Sequence, residues 1–404
     1  MNEVTYRDVL AEPVFRVLFW TRSAAIGADT LRTVALSVLV FTSTGSAFLG
    51  ALTFGASFLP QAIGGLAIGA LPDLVRPRLL IVGGYLVEAA GAATLALAGP
   101  PVWTSLLIVA GIGCLAPAFN GTAGRLTAES LTGDAFVLGR SLFQLASSAA
   151  QLLGLALGGV AAATLGPEGA LLAAAAVHLG SALAARTLLP NLPAPDRDGG
   201  RALLRRSWQG NRELLGDPVV RRLLLVMWLP PAFITGAESL LVPYALLHGF
   251  PDAAPGLLLA CVPVGMFAGN LVVARLLSPP TRERTVPVLV ALLGAPLLPF
   301  AFDIGIVLAG VLLVLTGVGF AYGLGLQRRF REAVPAETTG QGFGLMSTGL
   351  MTLQGVGPAA FGLLTEVVPV GVSMALGGLA AVLASIWIGS DEMFSRNEST
   401  GSVP

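Results

Sequence analysis

Lysine is absent from this 404-residue chain, and histidine occurs only at positions 178 and 248. Without lysine there is no Gly-rich phosphate loop closed by a Lys, which argues against a chain that burns ATP itself. His178 and His248 fall on separate segments, so no polar catalytic cluster and no metal set is visible. Neither an enzyme nor a bound cofactor or metal is therefore expected. The two cysteines, Cys114 and Cys261, sit inside apolar stretches and read as small packing residues, not as a disulfide. Charged residues make up only 11%, too few to coat the surface of a soluble domain.

Apolar residues are abundant instead: 54% of the chain is hydrophobic and the mean hydropathy is +0.80. These values point to an integral membrane protein in contact with the lipid bilayer. A spanning helix needs roughly 20 apolar residues. Such spans are predicted near 14–41, 47–71, 79–99, 102–122, 138–165, 168–189, 219–247, 254–277, 286–302, 305–327, 340–367 and 370–389. A spanning β-barrel would show short alternating segments instead of these long Leu/Ala/Val/Gly runs. The first thirteen residues are polar and charged, and no small-residue cleavage site follows the first apolar run, so that run is expected to stay.

Every one of the 23 basic residues is Arg, balanced by 23 acids. Apart from Arg22 and Arg32, the arginines cluster in the terminal segments, in loops after even-numbered spans, or at the span ends facing those loops. The opposite loops carry Glu168, His248, Asp252, Asp303 and Glu366 and no Arg. The positive-inside rule then puts both termini in the cytoplasm. The Arg-for-Lys, Ala- and Gly-rich bias suits a high-GC bacterium, hence a bacterial plasma membrane. A zero net charge gives no hint of a nucleic-acid partner.

The chain repeats. Glu12-Pro13-Val14-Phe15-Arg16 returns as Asp217-Pro218-Val219-Val220-Arg221, and Gly27-Ala28-Asp29-Thr30-Leu31 as Gly236-Ala237-Glu238-Ser239-Leu240. Later positions also recur at one spacing: Arg125/Arg328, Glu129/Glu332, Gly139/Gly342, Gly154/Gly357 and Gly159/Gly362. The expected architecture is all-α, with twelve transmembrane helices in two pseudo-symmetric six-helix bundles. The divisions fall at 1–189, a cytoplasmic linker 190–218, 219–389 and a tail 390–404.

Charge inside a membrane helix is expensive and marks function by default. Asp29 and Arg32, three apart on one helical face, either neutralise each other or serve substrate or proton. Glu88 and Glu238 are further proton-coupling or substrate candidates. His178 among alanines reads as packed more readily than functional, and Arg22 as a snorkelling or cavity-lining residue. Phe54, Phe58, Asn120, Gln144, Gln151, Tyr322 and Gln354 are the candidates for lining a cavity. That set suits a moderately lipophilic small molecule better than a sugar.

Two stretches carry a resemblance. Gly69-Ala70-Leu71-Pro72-Asp73-Leu74-Val75-Arg76-Pro77-Arg78 resembles motif A of the major facilitator superfamily, with Gly69, Asp73, Arg76 and Arg78 as its gate and Leu74 where a basic residue is usual. Its counterpart, Arg275 to Arg284, lacks the acid in place, so a clasp there is expected to be degenerate. The run Gly154-Leu155-Ala156-Leu157-Gly158-Gly159 resembles motif C, the antiporter signature, with Leu155 for its proline, and Gly357-Pro358 is the second copy. The Gly-Ala-Asp to Arg32 segment and the Glu-Pro-Val-Phe-Arg lead look most like bacterial drug and siderophore exporters of this superfamily. The resemblance implies alternating access by a monomer, with protons and a small molecule as partners. Proton-coupled efflux is its leading implication, multidrug resistance its usual consequence, and uptake of a small nutrient on the same fold the alternative. The helix-4 Arg of proton-coupled exporters has only Arg125 as a counterpart, near the cytoplasmic end.

Overall fold

The computed structural model describes residues 5–193 and 211–390, apart from 57, 69–70, 72–74, 132 and 336–337. Most of the linker and almost all of the tail, together with Gly69 and Asp73 of the motif A stretch, lie outside the described residues. The chain is all-helical among those described. It opens with α1, Tyr6–Ala11, where sequence analysis expected only a polar lead. A capping box explains it: Thr5 accepts from the Asp8 amide, and the Asp8 carboxylate accepts from the Thr5 amide at 2.9 Å.

The first half continues with α2 (Pro13–Thr44), α3 (Ala47–Gly55), α4 (Phe58–Ile68), α5 (Pro77–Leu97), α6 (Val102–Ser130) and α7 (Gly133–Leu188). The 56-residue α7 is two helices joined at Gly166, whose φ of 75° lies in the left-handed region that only glycine enters freely. That break falls between the spans predicted at 138–165 and 168–189. The second half holds α8 (Pro218–Glu238), α9 (Leu241–Leu247), α10 (Ala254–Leu276), α11 (Pro279–Arg284), α12 (Val286–Gly294), α13 (Ile306–Gly319), α14 (Tyr322–Ala333), α15 (Thr339–Leu364) and α16 (Val370–Gly389). Pro296 and Pro299 turn the end of the ninth predicted span into a 3₁₀ segment, Ala295–Ala301. Nine stretches among the described residues are long and apolar enough to cross a membrane. Their outer faces expose Leu107, Leu276 and Val307 by more than 70%, as lipid-facing residues do.

The repeat is visible in local geometry. Glu12 caps α2 through the Val14 amide (3.4 Å), and Asp217 caps α8 through the Val219 and Val220 amides (2.8 and 3.0 Å), each with Pro at the first helical position. Thr30 donates back to the Gly27 carbonyl at 3.0 Å, and its counterpart Ser239 to the Gly236 carbonyl at 2.6 Å. Arg125–Glu129 and Arg328–Glu332 form the same i,i+4 pair, at 3.3 and 2.8 Å. The motif C glycines sit on the repeated segment in both halves. A Cβ on Gly154 would strike Thr30 and Gly27, and one on Gly357 would strike the Ala232 carbonyl, so glycine lets each helix pair close up.

α8 continues through Pro230 and Pro231 and is capped at Ser239. Prolines at 230 and 231 cannot donate to the carbonyls of Val226 and Met227. The Tyr322 hydroxyl approaches both at 3.3 Å and can donate to either. It supplies from α14 what the helix lost.

The halves meet along two seams. α15 packs on α3 and α4, and α10 packs on α7. Gly159 and Gly256 touch there: a Cβ on Gly159 would lie 2.7 Å from the Gly256 Cα. Both seams are tightest toward the Arg-poor end of the molecule, where Ala51, Phe48 and Gly362 also meet. At the Arg-rich end, Arg282 caps α10 by donating to Val273 and Leu277 (3.2 and 2.9 Å), and Arg78 donates to the Leu189 carbonyl at 3.3 Å. In the second half, Glu283, out of the motif A register on α11, accepts from Arg329 at 2.8 Å and lies 4.0 Å from Arg328, on α14, against which α11 packs.

Candidate functional site

α2, α5 and the second part of α7 converge on one charged cluster, at the level where the apolar core of the first half is interrupted. On one side lie Leu18, Ile81, Val82 and Ala185, on the other Leu36, Leu95 and Leu171, and the two groups form separate hydrophobic clusters. Between them Arg32 Nη2 stands 3.0 Å from Asp29 Oδ1, and Arg32 Nη1 stands 3.5 Å from Glu88 Oε2. The three-residue spacing that sequence analysis noted makes the first contact; packing of α5 on α2 through α7 makes the second.

His178 completes the cluster, and this is what sequence reasoning undervalued. Its Nε2 lies 3.4 Å from Asp29 Oδ1 and 3.2 Å from Glu88 Oε2, and the ring is fully buried. Neither ring nitrogen makes an aligned hydrogen bond. A histidine flanked by Ala, Val and Leu carries no local signal of carboxylates 90 and more residues away. A second polar tier ties the same three helices: Tyr85 donates to Thr21 Oγ1 at 3.3 Å, and Ser181 to the Thr21 carbonyl at 3.4 Å.

One donor atom each from Asp29, Glu88 and His178 lie within 4.8 Å of one another, a spacing a cation could bridge. The guanidinium of Arg32, only 5% exposed, already supplies positive charge to both carboxylates. Two carboxylates, one fixed cation and an imidazole make a group that can gain or lose a proton without leaving a bare charge in the apolar interior.

A cavity of about 130 Å³ opens on the cluster, lined by Asp29, Glu88, Tyr85, Arg22, Gln61 and Asn120. It shares Arg22 and Asn120 with a chamber of about 440 Å³ that also has Phe136, Phe143, Thr127 and Arg140 in its wall. Asn120 and Gln61 border a third space, about 280 Å³, between the halves beside Ser347 and Met351. Asn120 therefore lines all three. A larger hollow, about 620 Å³, lies at the Arg-poor end among residues such as His248, Asp303 and Glu366, and none of the cluster lines it.

The other sequence candidates are placed differently. Tyr322 is buried against α8 and lines no cavity described above, which corrects the expectation. Gln354 donates to Thr235 at 3.4 Å, joining α15 to α8. Phe54 and Phe58 pair at 6.3 Å between ring centres in α3 and α4, and Gln151 is exposed on α7. The side chain of Gln144 lies outside the described residues. Arg76 is exposed at the start of α5, and Gly158 faces Leu31 and Val34, while Pro358 packs beside Gly55. Glu238, the counterpart of Asp29, has no ion pair or hydrogen bond among the described residues, and Leu241 stands where the first copy has Arg32.

The sequence model of the Major Facilitator Superfamily matches residues 18–328. No curated relative matches the chain in sequence. Among solved structures, the nucleoside transporter NupG superposes with a TM-score of 0.72 at 12% identity, covering 95% of this chain and 100% of that one. A peptide transporter POT in complex with sulfate gives 0.72 at 12%, covering 96% and 97%. A bacterial homolog of the human lysosomal transporter Spinster, inward-facing and unoccupied, gives 0.67 at 13%, covering 94% and 95%. The chain belongs to the major facilitator superfamily, and its fold is that of a membrane transporter.

Proposed function

We propose that this superfamily member exports a moderately lipophilic small molecule from a bacterial cell, driven by protons entering through the Asp29–Glu88–Arg32–His178 cluster. The observation that carries the reading is the cluster itself, a proton-accepting group built on three helices and open to a cavity. A proton on either carboxylate weakens its hold on Arg32, and the helices that share the guanidinium are then free to shift. The tight seams at the Arg-poor end and the chambers on the other side of the cluster suit one end state of alternating access. Twelve crossings, cytoplasmic termini, a single-chain working unit and the motif C glycines complete the exporter reading.

Cells expressing the chain, loaded with fluorescent lipophilic cations, anions and neutral dyes, test it. At least one dye should leave faster than from empty cells, and an uncoupler, Asp29→Asn or Glu88→Gln should each abolish the difference. Equal retention of every dye overturns broad efflux. Export that survives the uncoupler and both substitutions overturns proton coupling through this cluster.

A further inference from the structure

The 440 Å³ chamber carries two guanidinium groups and, among the described residues, no carboxylate in its wall. Arg22 lies about 14 Å along α2 from Pro13, at 1.5 Å per residue, well inside an apolar span. It has no ion pair or hydrogen bond among the described residues. Arg140 faces the same space, with its guanidinium 6.0 Å from the centroid of the Phe136 ring. Across the small cavity Glu88 feels the charge of Arg22 but forms no ion pair with it, while Arg32 and His178 stand against both acids of the cluster. A half-buried cation held without a direct ion pair in an apolar span is costly unless something anionic reaches it. The remaining wall offers Phe136 and Phe143 as apolar, aromatic surface, and Asn120 and Thr127 as neutral polar groups. At this volume the chamber fits a molecule of drug-like size.

We infer that the transported molecule is an organic anion, a carboxylate, sulfonate or phosphate on an aromatic or otherwise apolar body. Its acid group sits between Arg22 and Arg140 and its body lies against Phe136 and Phe143. This rests on the transporter reading above and narrows it, since a lipophilic cation would meet two like charges. The two groups also order the path: Arg140, exposed, meets the anion first, and Arg22 draws it toward the cavity beside Asp29 and Glu88. Bound there, the anion adds negative charge next to the cluster, which favours its protonated form. Substrate and proton would thus be linked through Arg22.

The test is direct binding, with no gradient, to the full chain in detergent. The probes are 1-naphthylacetate, its primary amide and 1-(aminomethyl)naphthalene, together with the two- and three-ring analogues of each. The acids should bind about ten- to a hundredfold tighter than the matched amides, and the amines weakest. Arg22→Gln should erase most of the acid preference and Arg140→Gln part of it, while Arg22→Lys, which keeps the charge, should retain it. Unchanged thermal unfolding of each variant separates this from misfolding. Equal binding of acid, amide and amine, preference for the amine, or no binding by any probe overturns the inference. Displacement of the acids by dioleoylphosphatidylglycerol at equimolar amounts overturns it in favour of a lipid headgroup site. Because no proton gradient enters the assay, loss of acid preference leaves the coupling claim untouched. Failure of Asp29→Asn to alter export leaves this binding claim untouched.

Discussion

The two halves repeat one helical unit but put it to different uses. In the second half, buried residues from Leu214 to Ile388 join into one continuous hydrophobic cluster. In the first half, Val34, Ala51 and Leu155 join that cluster while the rest of the core falls into three separate groups, with the charged cluster between two of them. The difference traces to single substitutions in the repeat. Asp29 has Arg32 one turn on, whereas Glu238 has Leu241, a residue with no exposed surface. A carboxylate with a guanidinium and an imidazole has counter-charge at hand inside the membrane; among the described residues Glu238 has neither. The repeat thus carries a carboxylate in both halves, and among the described residues only the first half sets a guanidinium and an imidazole against it.

The comparison can be broken most severely at Arg32. Arg32→Ala leaves two carboxylates facing each other in the protein interior, and should cost about 3–5 kcal/mol of stability in micelles by thermal or denaturant unfolding. A loss below about 1 kcal/mol would mean that the cluster is not held by its cation. Next come the glycines that the halves share: Gly154→Ala and Gly357→Ala should each cost about 1–3 kcal/mol, and by similar amounts, because each drives a methyl group into the partner helix. Unequal costs would show that the repeat is less faithful in packing than in sequence. Tyr322→Phe tests a feature of the second half alone. Removing the hydroxyl leaves the Val226 and Met227 carbonyls without their donor, for about 1 kcal/mol in the same assay. The smallest effect belongs to Glu238→Gln, which has no ion pair to lose and should stay within about 0.5 kcal/mol of wild type. If Glu238→Gln instead abolished proton-driven export while Asp29→Asn did not, the functional asymmetry would be reversed.

Several parts of this arrangement were readable from local sequence. The caps at Glu12-Pro13 and Asp217-Pro218, the back-bonding hydroxyls of Thr30 and Ser239, and the paired Arg125–Glu129 and Arg328–Glu332 all depend on residues four or fewer positions apart. The Asp29–Arg32 pair is of the same kind. Tyr322 misled because an aromatic with a polar tip in an apolar helix looks like a cavity residue. Only the neighbouring helix shows that two prolines had left carbonyls for it. Arg22 was legible as a snorkelling or cavity-lining residue, but that it makes no ion pair among the described residues was not.

By itself the sequence determined the membrane setting, the all-helical class, the duplication and the superfamily. The first two follow from composition and hydrophobic length, the duplication from matched segments far apart in the chain, and the superfamily from the resemblance carried by the motif A and motif C stretches. Only the tertiary structure decided that Glu88 and His178 join Asp29 and Arg32, that Glu238 stays alone, and that Arg22 and Arg140 share a chamber. Those facts depend on how helices 50 to 160 residues apart rotate against one another. That rotation is set by small-residue contacts and apolar packing spread along whole helices, and no single stretch of the chain records it.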